Sequence, residues 1–361
     1  MDRLHDTGRR GFASDNYAGV HPEVLDALAT VNGGHVGAYG ADPYTAHLQT
    51  VVQRHFGEQA SCWPVFNGTG ANVVALSAMT DRWDAVIATG HAHIHTDECG
   101  APEKVAGIKV VTVPTADAIM TPALLDREAY GFGFEHHAQP RVVSLTQSTE
   151  VGTVHSPDQV RALADHAHAL GMLVHLDGAR IANAAAALGV SLREMTTDCG
   201  VDVLSLGGTK AGLMGAEAVV VLDPDAVRRM DFVRKLSMQL GSKMRFLSAQ
   251  LVSLYDGDLW LRSGERANAM ARRLGDALDG VAGVRVTQQV AANAVFVMIP
   301  PEVTVRLQAR YPFYVWDEAT GEVRLMCSWD TTEADVDGFV AALREELARS
   351  EPDQEFSTSL G

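Results

Sequence analysis

Short runs of continuously apolar, mostly β-branched residues alternate with helix-compatible stretches along much of the chain. Seven of these runs read as strands: Trp63–Phe66, Ala85–Ala88, Lys109–Val113, Val142–Gln147, Leu173–Asp177, Asp202–Leu206 and Glu217–Leu222. Strands without a polar face are buried on both sides, as in a mainly parallel sheet covered by helices. The intervening Thr69–Thr80 is Ala-rich, and Ser156-Pro157-Asp158 supplies a cap and a first-turn proline for a helix to about Leu170. Asp223 similarly predicts a helix over Pro224–Lys235. Between the last two strands only Gly207–Gly215 intervenes, too short for a crossover helix, so these two strands are expected to be antiparallel neighbours.

Beyond residue 245 the pattern changes. Met244–Tyr255 and Gly264–Leu278 present Leu/Ala/Met faces at helical spacing. Four alternating runs follow, Val284–Val286, Ala294–Ile299, Phe313–Trp316 and Glu322–Ser328, and then a helix at Glu333–Ala348. The expected organisation is a large α/β domain over 1–245, with helices on both faces of a seven-stranded sheet, a smaller α+β domain over 246–349, and a polar flexible tail over 350–361.

The 361 residues are 47% apolar and 20% charged, which excludes a disordered chain. Twenty-nine Lys and Arg face 45 Asp and Glu, giving −16 with neutral His, a surface that repels nucleic acid and anionic membranes. Cys62, Cys99, Cys199 and Cys327 are scattered, with no CxxC pair, so a reducing, cytoplasmic setting is expected. The opening MDRLHDTGRRGF leads into no apolar segment, and no run is long enough to span a bilayer.

Four constellations carry possible chemistry. DVLSLGGTKAG sets Lys210 among small residues at the end of a strand, where a desolvated amine can form a Schiff base; an ordinary loop lysine fits the same pattern. LVHLDGARIAN ends a strand in Asp177, where a carboxylate can hold a pyridine nitrogen protonated, or cap the next helix. FNGTGAN joins a strand to a helix and offers backbone N–H groups to an anion, although a tight turn alone would also demand its glycines. The alternating His91, His93 and His95 suit either a metal-dependent hydrolase, surface histidines, or one imidazole stacked on a cofactor ring.

Nine ordered blocks resemble the low-specificity L-threonine aldolases, pyridoxal-phosphate enzymes with the aspartate-aminotransferase-like fold (fold type I). The blocks are SDNYAG, AYG, FNGTGAN, HIHTDECGAPE, PRVVSLTQSTEVGTV, HLDGARIANA, GGTKAG, SKMRFLSAQ and RLMCSWD. The resemblance implies pyridoxal 5'-phosphate as cofactor, bound through Lys210, with Asp177 on the pyridine nitrogen and His93 stacked on the ring. It implies Gly68 and Thr69 at the phosphate, together with Lys235, Lys243 or Arg245, of which Arg245 is favoured. Arg180 would contact the ring oxygen or the substrate carboxylate, which Ser14 and Arg324 would also bind. His136, or its neighbour His137, matches a histidine near the substrate hydroxyl, and Glu98 an acid beside the stacking histidine; Gln147 departs from the Glu or Asn of many relatives. The implied activity is retro-aldol cleavage of L-threonine, L-allo-threonine and related β-hydroxy-α-amino acids to glycine and an aldehyde. The proton of the β-hydroxyl would go to His93, His136 or a bound water. Another fold-type I activity, such as a β-eliminating lyase or an aminotransferase, is the alternative. The resemblance also implies a homotetramer with shared sites and Tyr39 reaching into a neighbour's.

Overall fold

The computed structural model describes residues 2–349; the expected tail over 350–361 lies outside the described residues. In chain order the elements are α1 (Pro22–Thr30), α2 (Pro43–Phe56), β1 (Ser61–Val65), α3 (Gly68–Met79), β2 (Asp84–Thr89), α4 (His93–Thr96), β3 (Lys109–Val113), α5 (Pro122–Leu125), β4 (Gln139–Thr146), α6 (Pro157–Ala169), β5 (Leu173–Gly178), α7 (Ile181–Leu188), β6 (Val203–Leu206) and β7 (Glu217–Val221). After them come α8 (Met230–Leu236), α9 (Met244–Tyr255), α10 (Leu259–Leu278), β8 (Arg285–Val286), β9 (Ala294–Met298), α11 (Pro301–Arg310), β10 (Tyr314–Asp317), β11 (Glu322–Met326) and α12 (Glu333–Ala348).

The first seven strands form one sheet in the order β1-β7-β6-β5-β4-β2-β3. Its strands run parallel except β7, which pairs antiparallel with both β1 and β6, as the short connection after β6 required. Adjacent residues within a strand serve opposite layers. Val143, Val174, Leu204 and Val220 pack towards α2, α6 and α9, while Val142, Val203 and Val219 pack towards α3. Both faces are dry, which is why these strands carry no polar alternation. Each fully buried Val or Leu contributes roughly 1.5–3 kcal/mol of transfer free energy.

The remaining strands form an antiparallel sheet in the order β10-β11-β9-β8. Val295, Val297, Val323 and Leu325 face α10–α12 and meet Leu274, Leu307 and Phe339. The expected division at residue 245 falls inside the first turn of α9, whose Leu247, Leu251 and Leu254 pack in the large-sheet core. One core gives way to the other within α10, whose Leu259 and Trp260 belong to the first and Leu274 and Leu278 to the second. That helix begins five residues before the expected Gly264. The glycine lies inside it because a Cβ there would strike the Ala182 backbone of α7.

The helix expected over Pro224–Lys235 is not continuous. Asp223 caps only a single turn, Pro224–Ala226. The Arg228 amide then bonds the Ala78 carbonyl and Arg229 turns left-handed, so α8 restarts at Met230. By contrast Ser156 caps α6 through a reciprocal pair with Gln159, and Asn67 caps α3 by accepting from the Gly70 amide at 2.7 Å. Among the described residues no helix is long and apolar enough to cross a membrane.

Candidate active site

The C-terminal ends of β2, β4, β5 and β6 lie side by side, and open α/β sheets bind ligands outside such ends. His93 follows β2, Glu150 follows β4, Asp177 is the last-but-one residue of β5, and Lys210 follows β6. The reversed β7 starts at this same end with Glu217, and β1 beside it delivers the first turn of α3. One cavity of about 230 Å³ is lined by Lys210, Asp177, His93, Gly68, Thr69 and Asn16, among others. Gly207 is required at its floor, because a Cβ there would meet the carbonyls of Gly178 and Ala179.

Burial lowers the Lys210 amine from its ordinary range, and the Arg180 guanidinium adds to that, against the pull of Asp15, Asp177 and Glu217. Burial raises Glu217, whose carboxylate accepts from the Gly208 and Thr209 amides and so holds the turn that carries Lys210. Across the cavity Asp177 is held at both oxygens. Oδ1 accepts from the Ala179 amide at 3.0 Å and Oδ2 from Asn72 Nδ2 at 2.9 Å. The same Asn72 nitrogen donates to Glu98 Oε1 at 2.7 Å, and Glu98 Oε1 lies 2.9 Å from His93 Nδ1. That last bond raises the His93 imidazole above its usual range. Glu150 Oε1 accepts from the His93 backbone amide at 2.7 Å, and burial with nearby Asp177 pushes this carboxyl up to about 7. At the mouth of α3 the cap satisfies the Gly70 amide, and the preceding Gly68 and Thr69, whose amides have no partner within the helix, line the cavity. The donor set suits a flat heteroaromatic phosphate: amides for the anion, a carboxylate for a cationic ring nitrogen, and an amine for a carbonyl.

Lys210, Asp177, His93, Gly68 and Thr69 are thus brought together by the chain itself. Arg180 stands beside them but is occupied by Asp15, with Nε and Nη2 at 2.7 and 2.9 Å from its two oxygens. Asp15 is pushed up by burial and pulled down further by that guanidinium, so its carboxyl stays below the ordinary range. Arg324 lies on β11 over the Trp316 ring, 4.3 Å from its centroid, with a buried Nε that has no partner. Burial and Arg180 bring its guanidinium down to about 10. Ser14 caps the turn at Asp15–Tyr17 and lines an adjacent cavity with Tyr17, Ser328 and Asp330, while Asn16 lines the Lys210 cavity.

Other residues singled out in the sequence sit elsewhere. His136 and His137 are exposed against Phe134, outside the residues that line the Lys210 cavity. Arg245 bonds the carbonyls of Gly33 and Gly34 and lines a different hollow with Lys243, and Lys235 lies over the Tyr39 ring. Tyr39 itself is exposed. Gln147 is buried and braces the end of β4, bonding both the amide and the carbonyl of His155. The alternating histidines do not converge as ligands. His93 and His95 belong to a helical turn instead of a strand, and His91 Nε2 bonds the Thr115 carbonyl. Asp15, Asn16, Asn72, Glu150 and Glu217 were not singled out beforehand. The first four lie inside quoted blocks, which is the only sequence signal they carry.

The sequence matches the family model for beta-eliminating lyases over residues 11–300. It is 42% identical over 322 residues to a low-specificity L-threonine aldolase of Pseudomonas aeruginosa, covering 89% of this chain and 93% of that protein. It is 40% identical over 335 residues to the low-specificity L-threonine aldolase of a Pseudomonas species, covering 92% and 96%. The fold is similar to a threonine aldolase structure from Leishmania major, with a TM-score of 0.87 at 29% identity, covering 93% of this chain and 99% of that one. With the cavity at the strand ends and similarity along nearly its whole length, this chain belongs to the low-specificity L-threonine aldolase family of beta-eliminating-lyase-type proteins with the fold-type I architecture.

Proposed function

We propose that this protein cleaves the Cα–Cβ bond of L-threonine, L-allo-threonine and related L-β-hydroxy-α-amino acids, releasing glycine and an aldehyde, with pyridoxal 5'-phosphate held in the Lys210 cavity. The observation that carries this reading is that Lys210, Asp177, His93 and the Gly68–Thr69 turn line one cavity. When bound, pyridoxal phosphate supplies the carbonyl that an amine attacks and a ring that takes up the electron pair of the broken bond.

The chain's own residues do the rest. Burial keeps more of the Lys210 amine uncharged and nucleophilic near neutral pH. Asp177, pinned by the Ala179 amide and Asn72, faces the cavity as the acceptor for a protonated ring nitrogen. Gly68 and Thr69 receive the phosphate at the positive end of α3. Arg180 is neutralised by Asp15, which leaves Arg324 as the cation with donor capacity for a substrate carboxylate. Holding that carboxylate sets the Cα–Cβ bond relative to the ring, the kind of positioning that can supply about 7–11 kcal/mol of a barrier. His93, oriented through Glu98, is the group in this chain placed to take the proton of the β-hydroxyl.

The assembly we propose is a homotetramer, in which Tyr39, His136 and a basic group such as Arg245 serve a neighbour's site. Its support is the exposure of Tyr39, Met214, Phe232, Leu236 and Met238. The compartment we propose is the cytoplasm. A second reading, β-elimination on the same cavity, is favoured by the description of the matching family. The test is to load the protein with pyridoxal phosphate and assay acetaldehyde from L-threonine beside pyruvate from L-serine. Acetaldehyde and glycine in equal amounts are expected; pyruvate without acetaldehyde would establish the second reading.

A further inference from the structure

The amide of Asn72, on the second turn of α3, is buried and sits between two carboxylates that come from distant parts of the chain. Both hydrogens of its nitrogen are used, one on Glu98 Oε1 and one on Asp177 Oδ2, at 2.7 and 2.9 Å. The opposite orientation of the amide would turn an acceptor oxygen towards two acceptors, so the network itself dictates which atom points where. Asn72 Oδ1 and Glu98 Oε2 are left buried with no partner, a cost the core would not carry for packing alone. Burial raises the Glu98 carboxyl, the hydrogen bonds from His93 and Asn72 pull against that, and to the extent they keep Glu98 ionised it favours the imidazolium of His93. The charged and titratable groups around His93 are Glu98 on its own loop, Glu150 after β4, Asp177 at the end of β5 and Lys210 after β6.

Resting on the cofactor reading above, we infer that Asn72 is a positioning residue of this site, whose amide nitrogen fixes the Asp177 carboxylate towards the ring nitrogen and the Glu98 carboxylate towards the His93 imidazole. It joins the carboxylate that would hold a cationic ring nitrogen to the pair that sets the protonation of His93, so that one side chain fixes both. Replacing it by leucine keeps the volume and removes both bonds. Glu98 then holds its proton more firmly, His93 loses the anion that favours its cation, and the midpoint of His93 falls.

The experiment is an NMR titration of the His93 ring on the protein as purified, with pyridoxal phosphate added, its resonance assigned by its loss in His93→Asn. In Asn72→Leu the midpoint is expected to fall by about one pH unit, a tenfold change in proton affinity. The kcat for threonine should drop by at least about tenfold with KM within about twofold, because neither carboxylate contacts the substrate. In a Glu98→Gln background the same substitution should no longer move His93. Should Asn72→Leu fail to fold, Asn72→Ser serves, since one hydroxyl cannot bond two carboxylates. An unmoved midpoint in a folded variant overturns the inference, as does an equal shift in both backgrounds. The titration needs no turnover. Wild-type protein that cleaves no threonine while His93 still responds defeats the functional reading alone, and threonine cleavage with an unresponsive His93 defeats this inference alone.

Discussion

The cavity end of the large sheet and the interior of the four-stranded sheet are built from the same apolar strands, yet they treat charge in opposite ways. Around the small sheet Arg273 with Asp337, Arg310 with Glu345, and Arg349 with Glu345 pair outside, and the one buried carboxylate, Glu346 among the described residues of α12, is met at the rim by Arg306 and Arg349. The sheet's interior is hydrocarbon, with Val295, Val297, Leu325 and Phe339 fully buried. At the cavity end Asp15, Asn72, Glu98, Glu150, Asp177 and Glu217 are all buried. Asn72, Glu98 and Glu150 each keep a buried oxygen without a partner. Leaving such a group unsatisfied costs about 1–3 kcal/mol, so this end is maintained against its own local energetics by packing elsewhere. Alternation along β11 shows both policies at once. Leu325 points into the apolar core, and the neighbouring Arg324 keeps a buried guanidinium nitrogen without a partner. Stability and chemistry are therefore allotted to different surfaces of adjacent residues.

Substitutions can set the two regions against each other. The largest effect belongs to Lys210→Ala, expected to abolish the cofactor's visible absorbance and reduce threonine cleavage by at least about a thousandfold. Its melting temperature should stay near wild type, as calorimetry will show. Leu325→Ala should do the converse, costing about 2–5 kcal/mol in urea unfolding while the folded fraction keeps its absorbance. Glu150→Gln comes next and carries a pH signature. Glu150 is raised by burial and by Asp177 to about 7, so the folded state binds more protons than the unfolded state between the ordinary carboxyl range and pH 7. Its contribution is therefore lost as pH rises through that window, by roughly 3 kcal/mol in all. Replacement by glutamine should flatten that part of the stability profile, seen in unfolding midpoints between pH 5 and 8. His175, held by burial down to about 4, works the other way: stability falls as pH drops from the ordinary histidine range to that value. Arg324→Ala should raise KM for threonine by about tenfold to a hundredfold with a smaller change in kcat, measured by initial rates. Arg273→Ala should be the mildest, leaving the thermal midpoint within experimental error, because the Asp337 pair is solvated.

Much of this division was legible in the sequence. The seven continuous apolar runs are the seven strands of the large sheet, because strands dry on both faces announce themselves by composition. The short Gly207–Gly215 connection forecast the reversal of β7. The helices α1, α2 and α11 went unread, since their apolar faces are narrow and their proline starts can equally open turns, and so did α7, whose face is Ala-rich. Within the site, Lys210, Asp177 and His93 stand at strand ends, where position alone suggests chemistry. Asn72, inside α3, does not, and Glu150 follows β4 in the same way but has a role that its position alone does not reveal. Asn72 acts only through Asp177 and Glu98, and Glu150 through the His93 backbone, partners joined by strand order and not by sequence spacing. His136, which the resemblance set near the substrate hydroxyl, lies on an exposed loop beside Phe134, and a single chain leaves open to it only the neighbour's site proposed above.

The antiparallel strand β7 links the two ends of the large domain's history on the ribosome. Ser61, emerging early, finds its mate in Val221, and that pairing helps to seat the Gly68–Thr69 turn beside the Lys210 loop. Until β7 has emerged, β1 lacks the strand it pairs with, and the phosphate site proposed at Gly68–Thr69 is incomplete. The appearance of yellow colour during refolding should therefore lag behind the recovery of helix and sheet, marking closure of the whole domain instead of the collapse of any part of it.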